Sequence, residues 1–91
     1  MEIRWSASAQ RDLARHHAFA ASNNKRVAKQ IVHDILAGVR HLATYPGIGV
    51  RLANIAPEDV RRLVIGDYEL RYELTDSLIH IVRIWHEKED R

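Results

Sequence analysis

The chain has 91 residues, no cysteine, and a net charge of +2 from 14 Lys/Arg against 12 Asp/Glu. A chain this short is expected to form a single domain over residues 1–91 and to bury only about 60–65% of its unfolded surface, so its core is thin, and neither disulfides nor thiolate metal sites can support it. No apolar run approaches the roughly 18 residues that cross a bilayer, and the opening "MEIRWSASAQ" lacks the basic-then-apolar layout of a signal peptide, so a membrane role is excluded and the cytoplasm is the expected compartment.

"EIRW" (2–5) reads as a short strand. Ser6 suits a helix N-cap, because its hydroxyl can accept an unpaired N–H of the first turn. Residues 7–21 are rich in alanine and contain no Gly or Pro; Ala9, Leu13, His16 or His17, and Ala20 recur at helical spacing. "SNN" (22–24) breaks this helix and caps the next. Val27, Ala28, Ile31, Ile35, Val39 and Leu42 then mark one face of a second helix, which Pro46 and Gly47 end just past Tyr45. Gly38, inside it, is expected to let the two helices approach closely. The short link between them predicts an antiparallel hairpin.

"PGIGVRLANIAPED" (46–59) reads as a connecting loop. Three strand-like runs follow: "VRRLVI" (60–65), "YELRYEL" (68–74) and "LIHIVRIWH" (78–86), separated by "GD" and "TDS". Turns this tight require antiparallel pairing. In "YELRYEL", Tyr68, Leu70, Tyr72 and Leu74 take one face and Glu69, Arg71 and Glu73 the other. The expected fold class is therefore α+β in two layers: an N-terminal strand, then an antiparallel helical hairpin packed on a C-terminal three-stranded antiparallel meander. One register stays open. A two-residue turn after Thr75 puts Glu69 and Arg71 on the face of Val82 and Ile84; a three-residue turn puts them with Arg83 and Trp85. The second is favoured, because it sets Arg83 beside Glu69 and Glu73. The tail "EKEDR" (87–91) is expected to be loosely held.

Charge is uneven. Residues 1–51 hold eight Lys/Arg against three Asp/Glu, and residues 60–91 hold six against seven. No dense basic stripe of the kind carried by general nucleic-acid binders appears, so direct sequence-specific nucleic-acid binding by this chain alone is not expected. The six histidines form no HExxH pair, and no metal site is expected. His33 and His41 read as exposed helix residues. His86, at a strand end beside Trp85, is placed for acid–base or recognition work. No nucleophile constellation and no dinucleotide loop is present, since "GIG" (47–49) follows no strand; no cofactor is expected. Arg61, Arg62, Arg71, Arg83 and Arg91 all lie in the sheet half, where their forked guanidiniums suit carboxylates and phosphates. Each has acidic neighbours, so the arginines read either as a charged lattice or as a surface for a partner of mixed charge.

The chain resembles the RelE/ParE superfamily of bacterial toxins. The likeness is carried by "IRWS" with Ala9, Asp12 and Leu13, by "VAKQIVHDI" (27–35), by "YPGIG" (45–49), and most strongly by "VRRLVIGDYELRYEL" (60–74) and "IVRIWHEKEDR" (81–91). It implies a toxin neutralised by a cognate antitoxin. RelE-like members cut messenger RNA in the ribosome; ParE-like members poison DNA gyrase. In the nucleases the resemblance implies an arginine at the position of Glu69, a contact worth about 3–4 kcal/mol in comparable sites. It also implies a late tyrosine and a lysine pair before the sheet, but no tyrosine follows Tyr72 and no lysine lies in 46–60. A ParE-like gyrase poison with no catalytic residues is therefore the favoured reading, with Arg61, Arg62, Arg71, Arg83, His86, Lys88 and Arg91 as target-binding candidates. The alternatives are a ribosome-dependent endoribonuclease using His86, Arg83 and Arg62, and a degenerate toxin that only binds its antitoxin.

Overall fold

Ser6 caps the first helix: its hydroxyl accepts the Ala9 N–H at 2.9 Å. Asn24 caps the second by accepting from Arg26 and Val27. These caps satisfy N–H groups that a helix start leaves unpaired. The computed structural model describes residues 1–54 and 57–89. Its elements are β1 (Glu2–Trp5), α1 (Ala7–Ala21), α2 (Lys25–Thr44), a 3-10 turn (Pro46–Ile48), β2 (Val50–Arg51), β3 (Val60–Ile65), β4 (Tyr68–Leu74) and β5 (Leu78–His86). The strands form one sheet in the order β1-β5-β4-β3-β2, with β1 parallel to β5 and the other pairs antiparallel. Among the described residues, no helix is long and apolar enough to cross a membrane.

The α+β architecture is the one expected, with one added strand. The segment read wholly as a loop contains β2, whose Val50 and Arg51 pair with Arg62 and Arg61. The meander is thus the centre of a mixed five-stranded sheet. The core lies between the helix pair and one sheet face, around Ile35, Leu42, Leu70, Tyr72, Ile79, Ile81 and Ile84. Gly38 serves a different contact from the one expected: a Cβ there would collide with Cδ1 of Ile65, so the glycine lets α2 approach β3.

The β4–β5 register resolves into both alternatives at once. Leu74, Glu73 and Tyr72 pair with Ile79, His80 and Ile81; Arg71, Leu70 and Glu69 pair with Arg83, Ile84 and Trp85. Near the turn the register is that of a two-residue loop, closed by the Thr75 N–H on the Leu78 carbonyl. A bulge at Val82 then adds one residue to β5 and flips the side-chain parity. Ile79, Ile81 and Ile84 can thus all face the core, and Arg83 and Trp85 reach the opposite face with Glu69 and Arg71. The favoured face assignment holds, but the extra residue sits in the strand rather than in the turn.

The β3–β4 turn needs a glycine. Gly66 has φ 59° and is followed by Asp67, whose φ is not positive, the pattern of a hairpin with glycine at its first central position. Gly66→Ala is expected to cost about 1 kcal/mol, because a side chain disfavours positive φ; urea unfolding would measure it.

Candidate functional site

β1 is four residues long and stops at Trp5, which pairs with Ile81. Beyond it, the outer edge of β5 would present bare backbone. Helix α1 covers that edge with side chains. Ser6 Oγ donates to the Val82 carbonyl at 2.8 Å. The Ile84 N–H donates to Asp12 Oδ2 at 2.9 Å. His16 Nε2 lies 2.8 Å from the Ile84 carbonyl oxygen, which can only accept, so that nitrogen carries the proton. Asp12 and His16 are one helical turn apart and both buried.

Asp12 also receives Arg83, with Nε at 2.7 Å from Oδ2 and Nη2 at 3.1 Å from Oδ1, and Arg15 at 3.1 Å. Burial alone would raise the Asp12 carboxyl. The hydrogen bonds from Arg83, the Ile84 N–H and Arg15 outweigh it and hold the group below its ordinary value. Arg83 therefore pairs with Asp12 on α1, in place of the expected Glu69 and Glu73.

The sheet face away from the helices carries an ordered set of side chains. Arg62, Arg71 and Arg83 stand opposite one another on β3, β4 and β5, in a row with about 4.8 Å between strands. Like charges in direct register repel, and two carboxylates offset this. Asp12 serves Arg83. Glu69, only 8% exposed, lies 3.1 Å from Arg71 and 3.8 Å from Arg62. Trp85 sits in the next row, across from Glu69. The guanidinium carbons of Arg71 and Arg83 lie 4.6 and 5.1 Å from its ring centroid, within cation–π range. Arg71 Nε is buried and has no hydrogen-bond partner among the described residues.

The other candidates lie elsewhere. Arg61 is spent on the loop: it donates to the Gly47 and Gly49 carbonyls at 2.9 and 3.0 Å and pairs with Asp59 at 2.9 Å. His86 pairs across the sheet with Tyr68, on the helix side. Its ring stands edge-on to Tyr68 at 5.1 Å, and Tyr68 in turn to His16 at 4.9 Å. His86 Nδ1 accepts the Lys88 N–H at 3.1 Å, which leaves Nε2 as the donor of the neutral ring. Lys88 lines a hollow together with His16, Tyr68 and His86. Arg91 lies outside the described residues. The expected target-binding set thus divides: Arg62, Arg71 and Arg83 converge with Trp85, whereas Arg61, His86 and Lys88 do not join them. His86 is not brought together with Arg62 and Arg83, the set a nuclease would need.

The tail is better held than expected as far as Glu89. Its carboxylate accepts the His86 N–H at 3.1 Å and pairs with Arg15 at 2.9 Å. Burial would raise this group too, but the His86 N–H and Arg15 hold it below its ordinary value. Asp12 went unread as a site residue; its one available signal was a lone acidic residue on the apolar face of an alanine-rich helix.

Comparison with known proteins gives a consistent result. Residues 3–91 match the family described as the ParE toxin of the type II toxin–antitoxin system, parDE. Among solved structures the chain is similar to one from a chromosomal ParDE toxin–antitoxin system of P. aeruginosa. That likeness has 22% identity and a TM-score of 0.79, covering 94% of this chain and 95% of the other. No curated protein matches.

Proposed function

Because the chain belongs to the ParE toxin family of type II toxin–antitoxin systems, we propose that it poisons DNA gyrase through its open sheet face and that a cognate antitoxin restrains it. Its place of action is the cytoplasm, and residues 1–91 act as one domain. The observation that carries the reading is the split between the arginine row and His86. Arg62, Arg71, Arg83 and Trp85 share one face. That is a set of anchors for a protein partner, since Arg and Trp dominate binding energy at such surfaces. A ribonuclease would need a proton-transfer group beside the phosphate-binding arginines. Here the histidine lies on the opposite side of the sheet, and a carboxylate, Glu69, occupies the middle of the arginine face.

The test is a supercoiling assay with the purified, antitoxin-free chain, with and without ATP. Inhibition with accumulated cleaved DNA is the expected result. Arg71→Ala should weaken it by about 2 kcal/mol, or roughly 30-fold in inhibitory concentration. Folded protein that leaves gyrase untouched while mapped transcript ends reveal cut messenger RNA would reverse the assignment.

A further inference from the structure

The fold sorts charge that looks scattered along the chain. Residues 7–44, the two helices and their link, hold six Lys/Arg against two Asp, and the remainder holds eight against ten. Among the described residues, every arginine of the five strands belongs to an ion pair. The cations in no ion pair stand on the helices, with Lys88 as the exception: Arg11 on α1 and Lys25, Arg26, Lys29 and Arg40 on α2, all exposed. Neither helical acid answers them. Asp12 is buried against the edge of β5, and Asp34 accepts from Gln30 and lines a hollow beside Ile65. Arg26, Lys29 and Arg40 fall within about 60° of one another around the α2 axis and span about 21 Å. They lie on the side away from the buried Ala28, Ile35, Val39 and Leu42.

We infer that this stripe of α2 contacts the phosphate backbone of duplex DNA without reading its sequence. Unpaired like charges along one helix face repel, and a polyanion removes that cost. Each DNA strand offers a phosphate about every 3.4 Å of axis, so a 21 Å stripe lies along roughly six of them. Such contacts position a protein and carry no sequence information. A protein partner would call for apolar anchors among the charges. Val27, the exposed large apolar residue of α2, is turned instead to the hollow beside Ile65. The helices and the arginine row lie on opposite sides of the sheet, so DNA on α2 leaves that row free for a protein. That this DNA is the segment held by gyrase rests on the proposed function; the contact itself does not.

The experiment is a fluorescence anisotropy titration of two 20-bp duplexes of unrelated sequence with the antitoxin-free chain, from about 50 to 200 mM salt. Wild type is compared with Arg26→Gln/Arg40→Gln on the stripe and with Arg4→Gln/Arg51→Gln on the sheet, which removes the same charge elsewhere. All four side chains are exposed, so both variants should fold, and circular dichroism checks this. Both duplexes should bind wild type alike. Three phosphate contacts predict a slope of about −2.7 in log K against log salt, or about a 40-fold loss over that range. The stripe variant should fall to a slope of about −0.9, and the sheet variant should keep the slope of wild type. Equal changes in the two variants would make net charge the cause and overturn the inference. So would no duplex binding up to about 10⁻³ M protein at 50 mM salt. If the antitoxin encoded beside the chain then lost affinity for the stripe variant alone, the stripe would be assigned to an acidic protein. Duplex binding by a chain that leaves gyrase untouched would sink the proposed function and leave this contact standing.

Discussion

Asp12→Ala should remove about 3 kcal/mol of stability, from a total of roughly 5–14 kcal/mol expected at this length. The carboxylate is 4% exposed, and its loss leaves the Ile84 N–H without an acceptor inside the protein and Arg83 without its partner. Arg83 is partly exposed and can turn toward water, which keeps the cost near the low end for a broken buried pair. Asp12→Asn retains an acceptor for the Ile84 N–H and loses the charge, so about 1.5 kcal/mol is expected. The pH dependence has a fixed sign. Asp12 and Glu89 are both depressed below ordinary values of 3.8 and 4.5. Their contribution is complete above those values and disappears as pH falls through the lower folded-state values. Urea midpoints between pH 7 and 2.5 should therefore decline steeply in wild type and less steeply in Asp12→Asn. Parallel curves for the two proteins would show that Asp12 does not anchor the edge of β5.

Gly49→Ala should be as damaging, for a different reason. The backbone of Gly49 is ordinary extended chain, at φ −72° and ψ 155°, so the demand is for space. A Cβ would lie 2.6 Å from the Tyr72 hydroxyl and 2.8 Å from the Arg62 carbonyl oxygen. That hydroxyl is held on both sides: it donates to the Pro46 carbonyl at 2.7 Å and accepts the Gly49 N–H at 2.9 Å. Neither the fully buried tyrosine ring nor the backbone of β3 can give way. A loss of about 3 kcal/mol is expected from overpacking and broken hydrogen bonds together. Gly47→Ala is the control. Its Cβ would have as nearest neighbour Arg61 Nη1 at 3.8 Å, so a change within about 0.5 kcal/mol is expected. Equal losses in the two variants would show that flexibility of the segment, rather than contact with Tyr72, sets the need for glycine.

The elements were legible because their signals are periodic. Alternation gave β4 its two faces, and the 3-4 spacing gave α2 its buried stripe. What stayed hidden depends on contacts distant in sequence. The two residues of β2 are too few to show a period, and they form a strand only because β3 runs beside them. The bulge left a trace in the spacing of Ile79, Ile81 and Ile84, two residues and then three, but that trace resembles a longer turn until the Thr75–Leu78 closure is seen. Among the arginines, Arg62, Arg71 and Arg83 reach one face through register alone. Arg61 is turned the other way by its place one residue along the same strand. Asp12 was hidden most deeply, since nothing near it in the chain states that a strand edge will need an acceptor there.

The pairing of β1 with β5 also sets a clock. Ser6 and Val82, joined where the first strand gives way to the first helix, are separated by 76 positions. Translation at about 5–20 residues per second puts roughly 4–15 s between their emergence, and contacts this remote in sequence form slowly in any case. Through that interval the arginine row lacks its third member, Arg83. On the proposed reading, the surface that meets gyrase is therefore incomplete until the last strand has been made.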